Sequence, residues 1–404
     1  MSVVVANHKL CITDLDKSSL EGKTALVRVD FNVPIQSGDI LDDSRIQESL
    51  PTIQYLVEAN SKVVLVSHLG RPKGVDDTYR LDPIQARLSE LLSIPVTKLD
   101  DCIGDSVQAS VQSMSNGDLV LLENVRFYSE ETLNDHSFSK ALASLADFFV
   151  LDAFGTAHRA HSSTCGVAEF IPAYSGLLLQ KELHVLSEII SSPKRPFLAI
   201  VGGSKVSTKL PVLKSLLGKV DTLFIGGGMV YTFLKAQGFE TGTSLVEDDQ
   251  IDEAALFLDA AKTTQTKILF PEDHVVADKF SEDAAISVVA SSVIPETMMG
   301  LDMGPESIKK ISELLPEMGC ILWNGPVGVF EMAPFAKGTM AIASVLADCE
   351  GMTVVGGGDS VSAIKKAGVA SAITHVSTGG GAVLELLEGK VLPGVSILNE
   401  RASV

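Results

Sequence analysis

Apolar runs of strand length alternate with amphipathic stretches of helix length across almost the whole chain, and this alternation most limits what it can fold into. Repeated strand–helix–strand units form parallel sheets covered by helices on both faces, which is why such strands read as nearly unbroken apolar runs. In the first half the runs are Lys23–Val29, Lys62–Ser67, Asp118–Leu122 and Phe148–Leu151. In the second they are Phe197–Val201, Thr222–Ile225, Lys267–Phe270, Cys320–Trp323, Met352–Val355 and Ile373–Val376. A chain of 404 residues is too long for one ordinary core and suits two. The expected fold class is α/β, with two doubly wound, Rossmann-like parallel-sheet domains. Gly176–Pro196 reads as their junction: Leu177 to Ile190 has the pattern of one helix, and Ser-Ser-Pro-Lys-Arg-Pro that of a linker. The expected division is 1–176, an interdomain helix and hinge at 177–196, 197–390, and a tail at 391–404 that packs back on the first domain.

The net charge of −19 disfavours nucleic acid and anionic membrane as partners. Met1–Leu10 lacks the ordered parts of a secretory signal, and the longest apolar stretches, such as Asp147–Leu151, are too short to span a bilayer. A cytoplasmic location is expected, or the mature form of an imported protein. Five scattered cysteines with no Cys-x-x-Cys pair suggest reduced, mostly buried thiols.

Positive charge is unevenly placed: seven of nine arginines precede residue 160. Guanidinium groups suit carboxylate and phosphate, and ligands of open parallel sheets bind beyond the carboxyl ends of the strands. Each first-half run leads into such residues: Arg28 to Asn32 with Arg45 after a turn, then His68 to Arg71, then Arg126, then His158, Arg159 and His161. Any one of them could serve a structural ion pair. The set together points to a bound polyanion, with Asp30 and Asn32 as acceptors for a substrate hydroxyl, although Asp30 alone could equally be a turn residue. His158-Arg159-Ala160 and Asp152-Ala153-Phe154-Gly155 are not the protein-kinase signatures they approach.

Second-half runs end instead in glycines, at 202–203, 226–228, 356–358 and 379–381, each before a helix-like segment. Such turns let backbone approach phosphate and present free N–H groups, though any one could be merely a tight turn. None matches Walker A or Gly-x-Gly-x-x-Gly. Lys205 and Lys209, four apart, are expected on one helix face, which suits a polyphosphate. Asp359 is either a helix cap or a carboxylate for Mg²⁺ on a nucleotide. Asn324 could contact phosphate, and Glu331 ribose hydroxyls.

The blocks Arg-Val-Asp-Phe-Asn-Val-Pro, Ser-His-Leu-Gly-Arg-Pro, Asp-Ala-Phe-Gly-Thr-Ala-His-Arg, Gly-Gly-Ser-Lys-Val, Trp-Asn-Gly-Pro, Gly-Gly-Gly-Asp-Ser and Ser-Thr-Gly-Gly-Gly closely resemble the phosphoglycerate kinase family, in order, from about residue 24 to 395. The resemblance implies reversible Mg²⁺-dependent phosphoryl transfer between 1,3-bisphosphoglycerate and ADP, yielding 3-phosphoglycerate and ATP. With acceptor and donor sites on separate lobes, closure about the hinge is expected, and a monomer is the default expectation. It implies that Asp30, Phe31 and Asn32 hold the glycerate, while His68, Leu69, Gly70, Arg71, Arg126 and Arg159 surround the non-transferred phosphate. Arg45 would lie at the reacting carboxyl, and Lys205 would stabilise the moving phosphoryl. Lys209 and Asn324 would meet nucleotide phosphates; Gly300, Leu301, Gly226 and Gly227 adenine; Glu331 ribose. Gly357, Gly358, Asp359 and Ser360 would form the metal–nucleotide end, with Asp359 as metal ligand. Gly380 and Gly381 would donate backbone N–H groups to the transferring phosphoryl. Leu151 departs from the family's usual Asn, Ser360 from a frequent Thr, and the N-terminus is longer than in many members. Another acyl-phosphate kinase, or a non-catalytic nucleotide-binding protein, remain the rival readings of the same residues.

Overall fold

The computed structural model describes residues 8–401; the packing of the longer N-terminus and the end of the tail lie outside the described residues. Two compact units divide within the helix Leu177–Ser191: one runs through Ser187 and resumes at Lys390, and the other is Glu188–Gly389.

The first unit is built on six parallel strands: β1 (Thr24–Val29), β2 (Lys62–Val66), β3 (Val96–Lys98), β4 (Leu119–Leu121), β5 (Phe148–Asp152) and β6 (Ala173–Ser175). Their order is β3-β4-β2-β1-β5-β6, so the winding reverses at β1. Arg28 lies beside Val66 on one neighbour and Leu151 on the other, which brings the carboxyl ends of the central strands to one edge. A reversal of this kind opens a crevice at that edge. The helix Ser44–Glu58 buries Ile46, Ser49, Ile53 and Leu56, one stripe at helical spacing, and so aims its first turn, with Arg45, at the strand ends. The sequence reading missed β3 and β6, three-residue edge strands too short to carry a pattern. The returning tail bonds this unit: the Gly394 N–H donates to Ala157 O at 2.8 Å, and the Asn399 N–H to Ala173 O at 2.9 Å. Leu151 is fully buried against Gly394, where an added Cβ would meet its Cδ2 at 2.9 Å.

The second unit holds β7 (Phe197–Val201), β8 (Thr222–Ile225), β9 (Lys267–Leu269), β10 (Asp273–Ala277), β11 (Ile286–Ala290), β12 (Met299–Met303), β13 (Cys320–Asn324), β14 (Met352–Gly356) and β15 (His375–Val376). Six form a parallel sheet in the order β9-β8-β7-β13-β14-β15, with the winding reversed between β7 and β13. The other three form an antiparallel sheet, β11-β10-β12, which the sequence reading did not foresee. The last strand is shorter than expected, because Ile373 instead caps the preceding 3₁₀ segment, its N–H donating to Ala370 O. All five cysteines are free; Cys11, Cys102 and Cys320 are buried, Cys165 and Cys349 partly so.

Candidate active site

On the first unit the strand-end residues interlock. Arg45 Nη1 donates to Asp30 Oδ2 and to Asn32 O, both at 3.1 Å. The Asn32 Oδ1 accepts the Gly70 N–H at 2.8 Å, tying the loop after β1 to the loop after β2. Gly70 has φ +63°, and a Cβ there would sit 2.1 Å from the Tyr79 ring, so only glycine fits this turn. Arg126 follows β4 in a short 3₁₀ turn and donates to Gly70 O at 2.6 Å. Arg71, Arg126 and Arg159 all line one cavity of about 710 Å³. Burial first, then Arg28 and Arg159, lowers the Arg126 guanidinium to about 10. Its Nε is buried without a partner among the described residues. An anion in the cavity would relieve this crowding of like charge. His68 is buried, and its imidazole is held well below the ordinary histidine range by burial and then by Arg28, Arg126, Arg45 and Arg159.

Phe31 and Leu69 differ from the others. The Phe31 ring is fully buried in the core, and its N–H donates to Ser67 Oγ at 3.0 Å. The Leu69 N–H and C=O both bond Asn124, at 3.2 and 2.8 Å. The sequence reading gave Asn124 no role. Fully buried, Asn124 also accepts the Arg126 N–H at 3.1 Å and donates to Tyr79 O at 3.0 Å, so one amide ties together the loops that carry Leu69, Tyr79 and Arg126.

On the second unit the glycine loops crowd the switch point. Gly202 N–H donates to Asn324 O at 2.9 Å. Gly227 has φ +75°, and a Cβ there would meet Gly203 O at 2.6 Å, so this loop must be glycine simply to pass its neighbour. Lys205 is extended (φ −123°, ψ 126°) and precedes the helix Val206–Leu216 as its cap. The expectation that Lys205 and Lys209 share one helix face is thereby corrected, because Lys205 lies before the first turn. Lys209 Nζ donates to Asn324 Oδ1 at 2.7 Å, and burial lowers its ammonium while Asp359 raises it. Asp359 lies, exposed, in the first turn of Gly358–Lys366, after Gly357 at φ +91°. Ser360 is fully buried, and its Oγ accepts the Gly325 N–H at 2.6 Å, so the hydroxyl shapes the neighbouring loop. Gly380 (φ +46°) caps the helix that begins at Gly381.

A cavity of about 730 Å³ is lined by Gly227, Gly300, Leu301, Glu331 and Asp359. Gly226 is outside that lining, as are Lys205, Lys209, Asn324, Gly357, Gly358, Ser360, Gly380 and Gly381. Residues unnoticed in the sequence complete the walls: Tyr231, Leu245, Phe280, Val329 and Met332. They are ordinary apolar side chains with no local signal. Gly300 packs against Tyr231: an added Cβ would lie 1.9 Å from its Oη, while Tyr231 hydrogen-bonds His274 Nδ1 at 3.2 Å. An apolar cavity with glycines in its wall suits a flat ring.

Three comparisons bear on the identity of the chain. The family profile described as Phosphoglycerate kinase matches residues 12–390. The chain is similar to "Phosphoglycerate kinase 1, chloroplastic" of Arabidopsis thaliana, 55% identical over 99% of this chain and 84% of that one. It is similar also to "Phosphoglycerate kinase" of Pelotomaculum thermopropionicum, 54% identical over 97% of this chain and all of that one. Among solved structures, phosphoglycerate kinase from Coxiella burnetii superposes with a TM-score of 0.86 at 40% identity, covering 96% of this chain and 98% of that one. With family, relatives and fold in agreement, the chain belongs to the phosphoglycerate kinase family, kinases that transfer a phosphoryl group to a carboxyl acceptor.

Proposed function

We propose that the chain catalyses reversible, Mg²⁺-dependent phosphoryl transfer from 1,3-bisphosphoglycerate to ADP, directly and in line, after closure of its two units. The observation that carries this reading is the contrast between the two cavities: one walled by arginines, one by glycines and apolar side chains. In it, Asp30 and Asn32 receive the glycerate, while His68, Arg71, Arg126 and Arg159 hold the phosphate that stays. Phe31, Leu69 and Gly70 act through the backbone frame. Arg45 meets the reacting carboxyl, and Lys205 the moving phosphoryl group.

The nucleotide enters the other cavity with its base against Gly300, Leu301 and Gly227 of the loop that begins at Gly226, and its ribose near Glu331. Lys209 and Asn324 take its phosphates, and the Gly380 and Gly381 N–H groups face the group in transit. Phosphoryl transfer has a loose, charge-spread transition state, so positioning and preorganised donors carry the catalysis and no protein nucleophile is required.

The residues present fit Mg²⁺ brought by the nucleotide. Among the described residues no cluster of three His, Cys, Asp or Glu could cage a metal. Two exposed carboxylates, Glu331 and Asp359, line the nucleotide cavity; Asp359 follows Gly357 and Gly358 in the chain, and Mg²⁺ commonly takes one or two carboxylates with phosphate oxygens and water. When bound, the ion would neutralise phosphate charge.

Closure about the helix Leu177–Ser191, within which the units divide, would exclude water from the reacting groups. Small-angle scattering that showed no compaction with both substrates would remove this step. A cytoplasmic, monomeric enzyme without nucleic-acid or membrane partners completes the reading. Among the described residues no helix is long and apolar enough to cross a membrane. The Arabidopsis relative is named chloroplastic, so cell fractionation tests the location.

The test of function is ATP turnover with 3-phosphoglycerate, coupled to NADH loss through glyceraldehyde-phosphate dehydrogenase. Turnover that falls to background when acetate or aspartate replaces 3-phosphoglycerate supports the reading. No turnover with 3-phosphoglycerate refutes it.

A further inference from the structure

A buried hydrogen-bonded relay runs beneath the arginine cavity through residues that have no place in the proposed contact set. Glu131, fully buried in the short helix Ser129–Leu133, accepts the Ser163 N–H at 2.9 Å and the Ser163 Oγ–H at 2.6 Å. A hydroxyl has one proton, so with that proton on Glu131 the Ser163 oxygen offers only lone pairs to its other neighbour. That neighbour is Arg28 Nε, which donates to it at 2.8 Å. Arg28 is itself fully buried in β1. Its Nη1 donates to Val29 O, and its Nη2 lies 3.0 Å from His68 Nδ1.

Guanidinium has no acceptor, so His68 Nδ1 must supply the lone pair. The ring proton then belongs on Nε2, where no described residue forms a hydrogen bond. We propose that Glu131, Ser163 and Arg28 are positioning residues that hold His68 as the neutral Nε2–H tautomer, giving the phosphate site a directional donor without another charge.

The surrounding groups agree. Asp30 Oδ1, after β1, lies 3.9 Å from Nδ1, well beyond the Arg28 contact. Arg45, Arg126 and Arg159 approach from the first turn of Ser44–Glu58, the 3₁₀ turn after β4 and the loop after β5, and each disfavours an imidazolium. On the far side of the relay, His161 Nδ1 lies 3.8 Å from Glu131, and that ring is lowered to about 4 by burial and then by Arg126, Arg159 and Arg28. It is therefore neutral at physiological pH and is no counter-ion, which leaves the Glu131 carboxylate to act on Arg28 through Ser163. The device gains its point from the cluster it serves. Three arginines already furnish charge at the cavity, and a fourth cation would add repulsion in the free enzyme, whereas a fixed N–H adds geometry.

The proposal rests on the phosphoglycerate assignment only for its kinetic arm. In the full-length enzyme labelled with ¹⁵N-histidine, with the His68 signals assigned by their loss in His68→Gln, Nδ1 is expected as an unprotonated nitrogen and Nε2 as a protonated one through neutral pH. Ser163→Ala separates Glu131 from Arg28. It should give mixed His68 tautomers and raise KM for 3-phosphoglycerate about tenfold, with KM for Mg-nucleotide unchanged. Glu131→Gln keeps one acceptor for Ser163 and should fall between wild type and Ser163→Ala. A wild-type His68 found as the Nδ1–H tautomer or as imidazolium overturns the proposal. So does a Ser163→Ala enzyme whose His68 spectrum and KM match wild type. Should Ser163→Ala fail to fold, the wild-type spectrum decides alone. That spectrum is read on free enzyme, so a wrong substrate assignment shows separately, as absent wild-type turnover with the relay intact.

Discussion

Lys209 Nζ donates to Asn324 Oδ1 at 2.7 Å, joining the helix after the first glycine loop to the end of β13 across the switch point of the second sheet. Because the Asn324 oxygen is engaged, its Nδ2 faces the other way, buried and without a partner among the described residues. Both groups thus have donors to spare for phosphate. Replacing Lys209 by Met should weaken Mg-ADP binding by about 2 kcal/mol, a factor of about thirty, and leave 3-phosphoglycerate affinity as it was. Titration calorimetry with each ligand checks this, and equal losses for both would contradict it.

Gly300 tests the proposed base site. Its missing Cβ would overlap the buried Tyr231 side chain, which cannot swing away without losing His274. Gly300→Ala should therefore cost about 1–3 kcal/mol of stability and weaken nucleotide binding, read from denaturant unfolding and ADP titration. An alanine variant with wild-type stability and affinity would show that the wall yields.

Asn124 tests the loop frame of the first unit. Removing its amide leaves the Leu69 N–H and C=O, the Arg126 N–H and the Tyr79 C=O without their partner. Asn124→Ala should destabilise the protein by at least about 3 kcal/mol and raise KM for 3-phosphoglycerate more than KM for nucleotide. An equal rise in both would mean that the loops do not depend on this amide.

Asp302 gives a pH signature. It sits in β12 beside Leu301 and accepts N–H groups from Gly338 and Met303, both at 2.9 Å, yet burial pushes its carboxyl from 3.8 up to about 7. A folded value above the unfolded one means that the native state holds the proton more tightly. The associated stability is full below about pH 4 and is lost as pH rises to about 7, about 4 kcal/mol in all. In Asp302→Asn that slope disappears, so the variant should gain on wild type between those limits. Parallel unfolding free energies across the range would contradict the assignment.

How much of this was legible beforehand follows from the same residues. Phe197–Val201 and Thr222–Ile225 lie between helices in a buried sheet, and their unbroken apolar runs matched the observed strands. β10 begins with the buried polar pair Asp273 and His274, and β11 is largely exposed, so the antiparallel sheet had no comparable pattern. At the site, arginines and glycine runs were visible because their chemistry is local. Asn124, Ser163 and Glu131 were not, because each acts through partners distant in sequence, such as Leu69, Arg28 and Ser163. Lys205 shows the opposite failure: its spacing from Lys209 suggested a helix face, but the helix begins one residue later.

The central claim is that each unit carries half of one phosphoryl-transfer site, and separate loss of Arg45 and Lys205 tests it most directly. Turnover with 3-phosphoglycerate and ATP should be present in wild type and fall by orders of magnitude in both Arg45→Ala and Lys205→Ala. Arg45→Ala should keep wild-type Mg-ADP affinity, and Lys205→Ala wild-type 3-phosphoglycerate affinity. Substantial turnover in either variant, or loss of both affinities in one of them, would contradict the account.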